Sequence, residues 1–92
     1  MKQEVYKNGQ VAQELKGETL TYYYENGTVR AVGPYINDMM EGEWTFYRKS
    51  EQLWAVSNFK NNKKHGRWIR YDRNDKLEFD EIYDEGKKVK KK

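Results

Sequence analysis

Apolar and aromatic positions alternate with polar ones in short runs, and the pattern returns every 24 residues. Leu20, Trp44 and Trp68 keep this step, as do Tyr23, Tyr47 and Tyr71. Val29, Leu53 and Leu77 form a third column, and Tyr35, Phe59 and Tyr83 a fourth. Gly42 and Gly66 keep the period, and Gly17 misses it by one residue. Chance does not put four columns in phase. A period of this length marks one supersecondary unit repeated along an axis, each copy unable to bury its apolar face alone. Period-two alternation bounded by turn residues predicts strands near 3–6, 10–15, 19–24, 28–36, 43–48, 53–60, 67–72 and 77–83. No segment carries a 3.6-residue apolar period, so no helix is expected.

Each unit therefore reads as a β-hairpin. Asn8-Gly9 and Asn26-Gly27 are two-residue hairpin signals, since type I′ turns need positive φ at both central residues. Asn74-Asp75 is a weaker version, and Asn37-Asp38, Asn61-Asn62 and Glu85-Gly86 mark connections between units. Pro34 falls late in a strand, where it suits an edge or a bulge. A register with residues 48 and 53 opposed pairs Trp44 with Ser57 and Phe46 with Ala55, placing Leu53 and Phe59 on the same face. It likewise pairs Leu20 with Gly33, Tyr22 with Ala31 and Arg70 with Phe79. Large side chains thus meet small ones on one apolar face in the first two of these units. The opposite, mixed face carries Thr21, Tyr23, Arg30 and Val32, then Thr45, Tyr47, Trp54 and Val56. With no helix to cover the apolar face, the expected architecture is all-β: an elongated antiparallel meander, one twisted sheet thick. The units divide into a partial copy over 6–17 and copies over 18–41, 42–65 and 66–86, one repeat domain over 1–86. A basic tail over 87–92 follows.

Composition narrows the picture. Ninety-two residues make one small domain, and 36% apolar against 36% charged residues leaves no thick core. Aromatics at 15% supply side chains that bury a ring and keep a polar tip wet. The absence of cysteine excludes disulfides and thiolate zinc sites and is compatible with the cytoplasm, the expected location. No signal core and no run of transmembrane length occurs. The net charge of +3 belongs to the tail: five of the 18 basic residues lie in 87–92, leaving 13 against 15 acids in residues 1–86.

The segment GEWTFY from Gly42, and above all KKHGRWIRY from Lys63 to Tyr71, resembles the MORN repeat. It is most similar to the bacterial variant of YwqK-type proteins, regarded as antitoxins of toxin–antitoxin pairs. The matching residues are Gly42, Trp44, Tyr47, Leu53 and Phe59 in one copy, and Gly66, Trp68, Tyr71, Leu77, Tyr83, Gly86 and Lys87 in the next. An earlier copy matches at Tyr23, Asn26, Gly27, Val29 and Tyr35 but has Leu20 where Trp is usual and Glu18 where Gly is usual. A partial copy (Tyr6, Asn8, Gly9, Val11) is six residues short. The resemblance implies a β-meander that binds a protein, such as a cognate toxin, or a membrane. It carries no catalytic residue and no cofactor.

The residues themselves offer little chemistry. His65 is the sole histidine, so no histidine acid–base pair exists, and its place in an inter-unit turn points to a structural or surface role. The acids from Asp72 to Glu85 do not match the calcium-loop spacing, because Lys76 breaks Asp72-x-Asn74-x, and strand alternation scatters them. Neither a metal site nor an enzyme is expected. Lys60, Lys63, Lys64, Arg67, Arg70 and Arg73 cluster in sequence, but the acid-rich body opposes a broad phosphate-binding face, so nucleic acid is not the expected partner.

Departures from the repeat are more telling. Met39 and Met40 stand where Lys63-Lys64 and Lys87-Lys88 stand in later copies, and Trp54 stands where Arg30 and Glu78 do. The scaffold accepts charge at these positions, so their apolar character is not demanded by folding. Trp54, Met39, Met40 and, beside Trp54, Tyr47 are the candidate partner-binding residues, with Trp54 and the methionines on the order of 20 Å apart. The alternative is a membrane-binding tail of Lys87, Lys88, Lys90, Lys91 and Lys92, worth about 1 kcal/mol per lysine at an anionic leaflet. The open terminal edges also allow a homo-oligomer by strand pairing.

Overall fold

Each hairpin loop follows one hydrogen-bond rule in the computed structural model, which describes residues 4–89. Tyr24 N donates to Thr28 O and Gly27 N to Tyr24 O, and the same pair of bonds closes Tyr6–Gln10, Arg48–Gln52 and Asp72–Lys76. These are three-residue loops in which the last loop residue alone takes positive φ: Gly9 (89°), Gly27 (90°), Glu51 (75°) and Asp75 (60°). Such a loop is a tight turn ending in a left-handed residue, not the two-residue primed turn that Asn-Gly predicts. Asn26 serves instead through its side chain, whose Oδ1 accepts from Thr28 N, as Asn8 Oδ1 does from Gln10 N. Consecutive positive φ values fall at the connections between units: Asn37-Asp38, Asn61-Asn62 and Glu85-Gly86.

Eleven strands result: β1 (Glu4–Val5), β2 (Val11–Lys16), β3 (Thr19–Tyr23), β4 (Val29–Ile36), β5 (Met39–Met40), β6 (Gly42–Tyr47), β7 (Leu53–Lys60), β8 (Lys63–Lys64), β9 (Gly66–Tyr71), β10 (Leu77–Asp84) and β11 (Lys87–Val89). They form one open antiparallel sheet in the order β1-β2-β3-β4-β6-β7-β9-β10-β11, with β5 and β8 as short returns on β4 and β7. Strands β5, β8 and β11, of two or three residues each, are too short for sequence alternation to reveal. The sheet measures 49 × 35 × 17 Å, and its radius of gyration of 14.4 Å exceeds the value of about 12 Å for a globule of this length. Lys90, Lys91 and Lys92 lie outside the described residues.

The predicted register is observed at Trp44–Ser57, Phe46–Ala55, Leu20–Gly33, Tyr22–Ala31 and Arg70–Phe79. It changes near each loop. Tyr47 pairs with Leu53, not Trp54, and the same slip occurs at Tyr23–Val29 and Tyr71–Leu77. Arg30, Trp54 and Glu78 are thus the unpaired residues of a repeated β-bulge. A bulge resets the alternation. Leu53 therefore shares a face with Tyr47, not with Phe59 as the uninterrupted register would have it. Trp54 moves the other way, toward the apolar face.

The core is small and sits early in the array. Among the described residues Leu20, Ala31, Trp44 and Ala55 are the buried apolar side chains, and the first three form the central cluster. Leu15, Tyr22, Tyr35, Met40, Phe46 and Phe59 pack around them. The ring of Trp44 lies flat on Gly33: a Cβ built there would fall 2.4 Å from the indole. Its Nε1 donates to Pro34 O (2.9 Å), and Glu41 N donates to the same carbonyl. That carbonyl lies where the β4–β6 ladder stops after Val32–Thr45 and the β4–β5 ladder begins at Tyr35–Met40. Trp44 thus fills two needs, covering the apolar face and adding a second donor to a carbonyl at the break in the ladder. Pro34 sits at this break, as a residue without an N–H should.

Candidate functional site

Consecutive hairpins are stitched by one repeated contact at each end. At the loop end Tyr6 Oη donates to Tyr23 O, Tyr24 Oη to Tyr47 O, and the Arg48 guanidinium to Tyr71 O. At the other end Asn62 N donates to Met40 O and Gly86 N to Lys64 O. This regular frame makes each column comparable from copy to copy, and the apolar face changes steadily along it. Tyr22 becomes Phe46 and then Arg70; Gly33 becomes Ser57 and then Glu81; Met40 becomes Lys64 and then Lys88.

The consequence is an opening between the hairpins β6–β7 and β9–β10. Around Trp44, glycine below and methionine beside it let the indole seal completely, with 0% exposure. Trp68 makes the equivalent bond, Nε1 to Asn58 O at 3.1 Å, but stays half-buried. Lys64 replaces the methionine and lays its ammonium over Trp68 (4.4 Å) and Tyr83 (4.7 Å), holding its charge on two ring faces. Beside these rings is a cavity of about 400 Å³ lined by Phe46, Trp54, Ala55, Ser57, Trp68, Arg70, Phe79 and Tyr83, among others. Phe59 and Tyr83 meet Trp68 edge to face at 5.5 and 5.8 Å. Arg70 stacks over Phe79 at 5.3 Å while its Nε donates to Glu78 at 2.9 Å. On its floor the Ser57 hydroxyl is fully buried and has no hydrogen-bond partner. An aromatic, mostly apolar hollow with one unspent polar group is suited to receiving a partner's side chain.

The candidate residues read from the sequence separate in space. Trp54, 37% exposed, stands at the loop end of this cavity with the Arg48 guanidinium 5.3 Å from its ring. Tyr47 does not join it: it lines a shallow depression with Thr21, Tyr23, Val29, Val32 and Glu51. The bulge is the cause, because it sends Trp54 to the apolar face and leaves Tyr47 on the mixed one. Met40 packs against the core beside Trp44, and Met39 is half-buried one residue earlier. Sequence reasoning passed over Trp68, Phe79 and Tyr83 as scaffold, yet the column changes at Ser57, Lys64 and Arg70 were visible signs that the third copy packs differently.

The lysine-rich end is partly neutralised where it is described. Lys88 forms an ion pair with Glu81, whose other contact is the Tyr83 hydroxyl donating at 3.0 Å. The hydrogen bond from Lys88 holds the Glu81 carboxyl below its ordinary pKa, and Glu81 raises that of Lys88 in return. Burial, and then the bond to Glu81, pushes the Tyr83 phenol up. Lys87 is exposed.

Comparison with known proteins bears on the repeat itself. A family model described as a MORN repeat variant matches three segments, 19–37, 40–61 and 64–85. No curated protein and no solved structure matches the chain. With well over half of its length matched, and with a sheet of bulged hairpins whose glycines and tryptophans hold the joints, the chain belongs to the MORN repeat variant family, an interaction repeat.

Proposed function

We propose that this chain is a non-enzymatic module that binds another protein, and that the partner's side chains seat in the cavity between the hairpins β6–β7 and β9–β10. The observation that carries this reading is the contrast in one position: Trp44 closes its joint completely, while Trp68 leaves an aromatic hollow with Ser57 unpaired beneath. A fold that can close this joint once and leaves it open in the next copy keeps apolar area available for a partner. Trp54 is the anchor, an exposed aromatic on a bulge that other copies give to Arg30 and Glu78. The resemblance to antitoxin repeats makes a cognate toxin the first partner to try.

The test is capture of partners from the native host with the full chain and with Trp54→Ala and Phe79→Ala. Binding to the captured protein should fall by about 2 kcal/mol or more for Trp54→Ala, as for aromatic anchors elsewhere. Melting temperature should change little. Undiminished binding by both variants would remove the cavity from consideration. Sedimentation with anionic vesicles at ~0.15 M salt, where the Debye length is ~8 Å, tests the membrane alternative. Vesicle binding that disappears on deletion of residues 87–92 would put that alternative first.

A further inference from the structure

We infer that the last joint of the array holds a divalent transition-metal ion, with His65, Asp84 and Glu85 as its ligands. One ligand atom from each of the three residues lies within 4.8 Å of the others. His65 Nδ1 is shielded from water and has no hydrogen-bond partner. The nearest carboxylate oxygen, Asp84 Oδ1, stands 3.5 Å away. That is long for a hydrogen bond. It matches the spacing of two donors on one tetrahedral zinc, about 3.4 Å for bonds of about 2.1 Å.

The preceding joint shows what the position is for. Glu41 holds the place of His65 one period earlier, and its Oε2 accepts from Asn61 N at 2.7 Å, tying the turn after β7 to the turn before β6. In the last joint the residues equivalent to this pair are His65 and Glu85, but His65 Nδ1 accepts no such bond from the turn and faces Asp84 instead. The backbone supplies the third ligand. Neighbouring residues of a strand point to opposite faces, but Glu85 has φ 52°, which ends the alternation and lets its carboxylate approach that of Asp84. One imidazole nitrogen with two carboxylates is a donor set for Zn²⁺ and its first-row neighbours, while Mg²⁺ and Ca²⁺ prefer oxygen alone. Three protein ligands leave the remaining position to water. Asp84 pairs across the strand with Lys87, whose charge opposes binding and keeps the affinity modest. Lys64 and Tyr83, the chain neighbours of His65 and Asp84, are cavity residues, so a bound ion pins that wall.

Because His65 is the sole histidine, its imidazole resonances report this site alone. Zn²⁺ added to the full chain near neutral pH should shift those resonances with saturation at one equivalent and raise the melting temperature. His65→Asn should abolish the thermal shift. The Asp84→Asn/Glu85→Gln double variant should keep the histidine and weaken binding by about tenfold or more. Mg²⁺ should leave the imidazole unmoved. The proposal is overturned if excess Zn²⁺ leaves the resonances in place, or if the double variant binds as tightly as the parent, which would mean a lone surface histidine. Melting of each variant without metal checks that its fold is intact. None of these readouts depends on a protein partner.

Discussion

Trp44 and Trp68 occupy one position in consecutive hairpins, make the same indole bond to a strand carbonyl, and end in different states: sealed and half-buried. The backbone cannot explain this, since pairing, bulge and turns repeat from copy to copy. The difference lies in two neighbouring positions. Gly33 lets the Trp44 ring reach the sheet surface, and Met40 adapts to its edge. Ser57 and Lys64, one period later, bring a hydroxyl and a charge to the same places. A repeat protein can therefore make a core and a binding surface from one template by changing side chains in a few columns. A further period on, Glu81 and Lys88 fill the same two columns with an ion pair that caps the described part of the sheet.

The comparison can be broken by experiment. Trp44→Ala should cost about 3–5 kcal/mol in denaturant unfolding, as large core truncations do. Trp68→Ala should cost less, about 2 kcal/mol, because its ring already meets water. Equal losses would mean that the two joints are energetically alike and that the open cavity is incidental.

Gly33→Ala sharpens the same point. The added methyl falls 2.4–2.5 Å from three atoms of the Trp44 ring, so the indole must lift. A cost of about 1–3 kcal/mol is expected, with a rise in Trp44 fluorescence exposure. Ser57→Ala is the counterpart in the next joint. It removes a buried hydroxyl that has no partner, so unfolding should show no loss or a slight gain. A clear loss of stability would reveal a bond to Ser57 and remove the unspent polar group from the site.

The smallest effect belongs to the cap. The Glu81 pKa is depressed by Lys88, so the contact stabilises the fold above the ordinary carboxylate value and is lost as pH falls through the depressed one. The protection of the Val89 and Lys88 amides, relative to their intrinsic exchange rates, should fall as pH drops below the ordinary carboxylate range, ahead of protection around Trp44. Lys88→Met should remove that step. Simultaneous loss across all hairpins would show that the cap and the core unfold as one unit.

The strand order and most of the register were legible because they depend on period-two alternation and on large residues facing small ones, which 24-residue periodicity displays three times over. The bulge was not legible. It arises from the three-residue loops, whose hydrogen bonds place one extra residue on the second strand, and no column of residue types announces it. It therefore misassigned the faces of Leu53 and Trp54 together, and with them the pairing of Trp54 with Tyr47. Met40 stood out as a departure from lysine, but its surroundings decide its part: it packs beside Trp44, where a lysine would stack its charge as Lys64 does on Trp68.

By itself the sequence determined the repeating unit, the all-β meander and the single-layer sheet, since these follow from periodicity and from too few apolar residues for a second layer. Tertiary structure alone decided which joint closes. Closure depends on whether an indole can touch the sheet, and that is set by the residue eleven positions back in the chain, Gly33 for Trp44 and Ser57 for Trp68, which meets the ring only once the strands pair. The same adjacency brings His65 to Asp84 and Glu85, some twenty residues away in sequence, because neighbouring turns stack when the hairpins pair.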